Sequence, residues 1–195
     1  MRRALAAAGL LLVAVLTGCT SDGDDDGGGT TQPSSGFSAD TALGPCPEQT
    51  DRPAEGAETL PDLAFDCPGG GTLDLGRAPG TPTVVNLWGS WCGPCREELP
   101  VVQELADRAG DRLHVVGLIS RDTAPRAESF AEDAGVTFAT AFDGDGELLA
   151  QLGRAALPFT YFLDADGGIA HVEVGEIESF DELTALVAEH LGVQL

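Results

Sequence analysis

The 195-residue chain has no lysine, only three histidines, and no apolar run long enough to cross a bilayer as a resting helix. Each shortage excludes something. His114, His171 and His190 are widely scattered, so a zinc site built on a cysteine pair would lack its other two close ligands. Ten arginines face 32 acids for a net charge of −22. Such a surface repels nucleic acid and anionic headgroups, which are set aside as partners, and only weakly favours basic or neutral protein substrates. The missing lysine, beside abundant Ala, Gly, Asp and Arg, is a mark of codon bias and says nothing of mechanism. No metal and no other cofactor is expected.

What is present begins with a targeting pattern. Arg2 and Arg3 precede the apolar residues 4–16, a run with the length of a signal-peptide core. It closes on Leu16-Thr17-Gly18-Cys19, which resembles the bacterial lipobox, where cleavage before the cysteine leaves it N-terminal and acylated. Residues 1–18 are therefore expected to be a lipoprotein signal peptide and Cys19 the lipidation site. Two or three acyl chains hold a protein on a membrane where one does not. Removing Arg2 and Arg3 leaves eight arginines and a charge of −24. Residues 19–44 are expected to form a lipid-anchored, disordered linker, since the stretch with Asp24-Asp25-Asp26 and Gly27-Gly28-Gly29 has little to bury. A coil of about 25 residues reaches roughly 25 to 30 Å, enough to hold a domain clear of the headgroups.

Residues 45–195 have the length of one domain. Leu63, Phe65 and Cys67 alternate before Gly69-Gly70-Gly71, and Leu73 and Leu75 alternate after it, the pattern of a hairpin. Thr83 to Trp88 is a buried strand, followed by a helix over 92–109 with apolar Leu99, Val102, Leu105, Ala106 and Ala109 and a kinking Pro100. A second apolar strand covers 113–119. Ala127, Phe130, Ala131 and Ala134 space a second helix that Gly135 stops. A short helix at 147–152, strands at 159–163 and 169–174 around the turn Asp166-Gly167, and a last helix opened by Ser179-x-x-Glu182 complete the order. Asp143-x-Asp145 and Asp164-x-Asp166 mimic the start of calcium loops, but Arg154 and Gly175 stand where the bidentate glutamate belongs.

The chemistry is carried by Trp91-Cys92-Gly93-Pro94-Cys95, placed between an apolar strand and the first turn of a helix. A cysteine there has its thiolate stabilised by unpaired backbone N–H groups and the positive end of the helix dipole. The second cysteine, one turn on, is placed to attack a mixed disulfide made by the first. Cys46 and Cys67 form an even leftover pair, expected in an oxidising compartment to be a structural disulfide; a relay dithiol is the alternative. As a cross-link closing about 22 residues it would contribute roughly 3 kcal/mol.

With Pro100 eight residues after Cys92, and Leu157-Pro158 before the third core strand, these motifs resemble thioredoxins. The lipobox, the hairpin and the helix at 124–134 resemble the TlpA-like branch, extracytoplasmic thioredoxins that include cytochrome-c-maturation reductases. The resemblance covers about residues 62–191. It implies an α/β thioredoxin fold, a central mixed sheet flanked by helices, with an N-terminal hairpin and a central helical insert. It further implies that Cys92 is the exposed nucleophile, Cys95 the buried resolving thiol, and Pro158 a cis proline that leaves the Leu157 backbone free to pair with substrate. Trp91, Gly93, Pro94, Leu157 and Pro158 are then the substrate-binding residues. Thioredoxins of the cytoplasm bury an aspartate six residues before the nucleophile, where this chain has Asn86. Glu98, on the same helix face as Cys95, is similar to the acid that some TlpA-like reductases place near the dithiol, and is the third candidate catalytic residue.

The expected function is that of a tethered thiol-disulfide oxidoreductase on the outer face of the cell membrane, reducing disulfides of exported proteins, apocytochrome c among them. Its electrons would come from a membrane dithiol donor. The competing readings are an oxidising, disulfide-forming enzyme and a redox-sensing module that docks a partner without turnover. A Sco-like copper carrier would need Cys-x-x-x-Cys, and a peroxiredoxin a single peroxidatic cysteine in another context.

Overall fold

The computed structural model describes residues 36–195. Its centre is two strands buried along almost their whole length, β3 (Thr83–Trp88) and β4 (His114–Ser120), paired in parallel with Val84 opposite Val115 and Trp88 opposite Ile119. Strands covered on both faces need continuous apolar runs, as these have. β5 (Thr140–Asp143) adds in parallel beyond β4, while β6 (Phe159–Leu163) pairs antiparallel with β3, and β7 (Ile169–Val174) with β6. The sheet order is β5-β4-β3-β6-β7. A separate hairpin, β1 (Ala64–Asp66) and β2 (Thr72–Asp74), sets Phe65 opposite Leu73.

The period of two sorts the β3 side chains into two cores. Val84 and Trp88 join the larger cluster with Leu99, Val102 and Leu105 of α1 (Gly93–Ala109), Ala127 and Ala131 of α2 (Ala124–Ala134), and Leu183 and Val187 of α4 (Phe180–Leu191). Val85 and Leu87 point the other way, onto Leu148 and Leu149 of the short α3 (Glu147–Gln151) and onto the hairpin. Each such aliphatic side chain contributes about 1.5 to 3 kcal/mol by leaving water. α1 runs through Pro100 to Ala109 without a break.

Helix ends follow the expected chemistry. Gly135 stops α2 in a left-handed conformation, φ 68°, with Val136 N–H on the Ala131 carbonyl at 2.8 Å. Ser179 caps α4, accepting from Glu182 N–H at 3.2 Å, but the Glu182 carboxylate turns back to Glu178 N–H at 2.9 Å instead of the cap's own N–H.

Two features depart from the sequence expectation. β5 was absent from the expected order: its four residues, Thr-Ala-Phe-Asp, are too few to show a period, and the strand forms because β4 would otherwise be an open edge. The expected linker also ends earlier than Gly44. Phe37 and Leu43 are buried, the Phe37 ring meets Phe142 edge-on at 5.1 Å, and Ser38 Oγ donates to Glu128 at 2.6 Å. Two apolar side chains in a polar stretch suffice to hold it once α2 and β5 offer a surface. Residues 1–18, Cys19 and most of the expected linker lie outside the described residues. No helix among the described residues is long and apolar enough to cross a membrane.

Candidate active site

The site lies at the end of the sheet where β3 delivers the chain into α1. Cys92 is the cap of that helix, in extended conformation, and its Sγ accepts from Cys95 N–H at 3.2 Å. Pro94 opens the helix, where its missing N–H costs no hydrogen bond. No acid lies in the first turn of α1. The positive end of the helix is therefore left to act on sulfur.

Cys92 and Cys95 are joined by a disulfide of 2.04 Å. Cys95 has no exposed surface. Cys92, expected to be exposed, keeps only 4%, its sulfur bonded to that of the fully buried Cys95. Trp91 stands out at 48% exposure, its indole N–H bonded to the Arg121 carbonyl at 2.9 Å. Gly89 makes room for that ring: a Cβ there would sit 2.7 Å from Trp91 Nε1. Gly93 and Pro94 are exposed beside it. Pro158 is buried and follows a cis peptide bond from Leu157. Its neighbour Phe159 pairs with Leu87, which puts the proline at the same sheet end as the dithiol.

Beneath the dithiol lies a buried polar triad. Glu98 has no exposed surface; its carboxylate accepts from Asn86 Nδ2 and, at 2.9 Å, from Ile177 N–H. The same Asn86 nitrogen contacts Thr160 Oγ1 at 3.0 Å. Burial pushes the Glu98 carboxyl up from 4.5 to about 7; the bonds from Ile177 and Asn86 hold it down in part, and the charge of Glu176 raises it. A carboxyl that titrates near neutrality one helical turn from Cys95 can take and return a proton. The Asn86 Oδ1 has no partner among the described residues. An amide can donate to a carboxylate through its nitrogen or accept from a carboxylic acid through its oxygen.

Residues 55–187 match the family model described as Redoxin. The chain belongs to the Redoxin family. It is 32% identical over 122 residues to the thioredoxin-like protein YneN of Bacillus subtilis, covering 60% of this chain and 71% of that one. To the thiol-disulfide oxidoreductase ResA of Bacillus anthracis it is 27% identical over 108 residues, 55% of this chain and 62% of that one. A solved structure of a secreted Mycobacterium tuberculosis disulfide oxidoreductase homologous to Escherichia coli DsbE superposes with a TM-score of 0.57 at 25% identity, covering 66% of this chain and 96% of the other. This Redoxin-family chain thus takes its place among the thioredoxin-fold thiol-disulfide oxidoreductases of the DsbE and ResA type.

The fold brings Trp91, Cys92, Gly93, Pro94, Cys95 and Glu98 together on one loop and one helix, with Leu157 and Pro158 at the same end of the sheet. Cys46 and Cys67 are joined to each other, Cα to Cα 5.6 Å, near the hairpin. Sequence reasoning missed Thr160, the Ile177 N–H and the Arg121 carbonyl. The two backbone groups have no sequence signal. Thr160 had one, a polar residue inside an apolar strand. Among the described residues no three His, Cys, Asp or Glu side chains gather as a metal site would require.

Proposed function

We propose that the chain is a lipid-anchored reductase working on the outer face of the cell membrane, with residues 1–18 as signal peptide, Cys19 as the acylated residue, the following segment as tether and the thioredoxin-like domain as catalyst. Its substrates are disulfides of exported proteins, apocytochrome c among them, and a membrane dithiol recharges it. Cys92 attacks, Cys95 resolves, and Glu98 holds the proton that Cys95 must lose. Trp91, Gly93, Pro94, Leu157 and Pro158 receive the substrate segment. The Cys46–Cys67 bond is structural.

One observation carries the direction. The dipeptide between the cysteines is Gly93-Pro94, with no histidine there to stabilise the reduced thiolate and so make the disulfide a strong oxidant. Reduction begins when the Cys92 thiolate bonds to one substrate sulfur and the other leaves with the electron pair. Cys95, deprotonated toward Glu98, then attacks Cys92; the substrate's second thiolate leaves and the Cys92–Cys95 bond forms.

Trapping tests this in cells. Cys95→Ser leaves a thiol that attacks and none that resolves, so exported proteins with cysteine pairs should accumulate as mixed disulfides, and the adducts should vanish in Cys92→Ser/Cys95→Ser. Recovery of apocytochrome c would establish the maturation role. A single variant that traps nothing, yet keeps a reactive Cys92 in vitro, would favour the redox-sensing module instead.

A further inference from the structure

Four of the eight arginines among the described residues lie around the dithiol end of the sheet, and none of the four has a carboxylate partner; Arg112, which has none either, lies beyond the other end of α1 and donates to the Gln194 and Arg108 carbonyls. Arg52 pairs with Asp166, Arg77 with Asp51 and Asp74, and Arg108 with Glu104. By contrast, Arg96 lies over the Phe130 ring at 4.3 Å and reaches only the Ser90 carbonyl, one residue before Trp91. The Arg121 guanidinium donates only to the carbonyls of Ala155 and Arg154 while the residue's own carbonyl holds the Trp91 indole. Arg154 lies over Phe159, next to Pro158, at 4.9 Å. The Arg126 guanidinium has no hydrogen-bond partner among the described residues and shares a cleft of about 370 Å³ with Trp91 and Arg121. All four are exposed.

The two acids that line that cleft, Asp122 and Asp145, form no ion pair with them. The Asp122 carboxylate accepts from Ser90 N–H at 2.6 Å and Thr123 N–H at 2.8 Å and makes no ion pair with an arginine among the described residues. Asp145 is the remaining acid lining that cleft. On a chain this acidic, the face around the reactive sulfur is a local cationic rim drawn from four different elements.

We propose that Arg96, Arg121, Arg126 and Arg154 are specificity-determining residues that dock carboxylates flanking the substrate's cysteines, so that acidic disulfide-bearing segments are preferred. This rests on the reading of Cys92 as the attacking thiol for protein disulfides, and reverses the weak preference for basic or neutral substrates suggested by net charge. Guanidinium forks take carboxylates in paired hydrogen bonds, and those not already engaged by protein acids are free to do so. The strongly negative remainder of the chain repels polyanions at long range, which selects a short acidic segment over a nucleic acid. Complementary charge acts mainly on encounter and orientation, so the preference should appear in the rate of mixed-disulfide formation.

The test uses the full chain carrying Cys95→Ser, with Cys92→Ser/Cys95→Ser as the blank, and three peptides of one sequence whose activated cysteine, a 2-pyridyl disulfide, is flanked by glutamates, glutamines or lysines. Cys92 thiolate bonds to the peptide sulfur, the old S–S bond breaks, and the electron pair leaves on thiopyridine, which takes a proton from water and absorbs as thiopyridone. The glutamate peptide should react fastest and the lysine peptide slowest. The glutamate-to-glutamine rate ratio should fall about two- to fivefold for Arg126→Gln, and by a similar factor again with Arg154→Gln, the range of exposed ion pairs. Arg126→Lys should restore most of it, and high salt should erase it. A ratio of one or less in the parent, or one unchanged in the double variant, overturns the proposal. So does loss of binding to anionic phospholipid vesicles in the double variant while the parent's peptide ratio is one, which would assign the rim to headgroups. Separately, failure of the wild-type chain to reduce an intact peptide disulfide with a dithiol supplied would remove the reductase reading and leave the ratio to judge the rim.

Discussion

The molecule holds two disulfides of the same bond type in opposite settings. Cys92–Cys95 caps a helix with its sulfur facing backbone N–H, a carboxyl titrating near 7 beneath it and unpaired arginines around it. Cys46–Cys67 joins a loop to the end of a hairpin strand, where Cys46 N–H bonds to the Gly70 carbonyl at 2.8 Å and Cys67 N–H to the Gly71 carbonyl at 3.0 Å. Both cysteines of that pair spend their N–H groups on turn carbonyls, and neither begins a helix. A helix cap is a setting that stabilises a thiolate and a turn of the second kind is not, so the difference in reactivity that we propose lies in the surroundings and not in the bond.

The comparison is sharpest if each bond is removed in turn. Cys92→Ser/Cys95→Ser should abolish exchange, a loss of several orders of magnitude in insulin reduction, with a change of melting temperature far smaller than that for the other pair. Cys46→Ser/Cys67→Ser should do the reverse: denaturant unfolding should show a loss of roughly 3 kcal/mol, the worth of the cross-link, while exchange at a temperature where the chain stays folded is retained. If the second variant lost exchange at full folding, the pair would be a relay and the contrast would fail.

Glu98 gives a smaller, pH-dependent effect. Its folded value is raised above that of the unfolded chain, so protons bind more tightly to the folded state. The stability this group contributes is fully present below about pH 4.5 and is lost as pH rises through 7, by at most about 3 kcal/mol. Glu98→Gln should flatten stability against pH across that window. It should also remove an inflection near neutrality from the exchange rate. Identical rate profiles would reduce Glu98 to a structural role.

The same contrast marks how far the sequence could be read. Cys92, Cys95 and the strands Thr83–Trp88 and Phe159–Leu163 were legible because local order announces them, as a cysteine pair at a strand-to-helix junction and as apolar runs, whereas the cis bond before Pro158 was legible only through the resemblance to thioredoxins. Glu98 was legible only as a position on a helix face, since spacing gives direction and not depth. Its burial depends on Ile177, 79 residues away, whose backbone N–H caps the carboxylate. The arginine rim was invisible for the same reason: Arg96 and Arg126 lie on separate helices, and Arg121 and Arg154 on loops that meet only in the fold. Phe37 and Leu43 looked like tether because two apolar residues do not make a pattern.

The reduction potential of Cys92–Cys95, measured with Cys46–Cys67 intact, tests the central claim most directly. Thioredoxins lie at about −270 mV and the strong oxidant DsbA at about −120 mV. A neutral Gly93-Pro94 pair predicts a value nearer the former, as a reductase requires; a value near −120 mV would make the chain an oxidant and contradict the account.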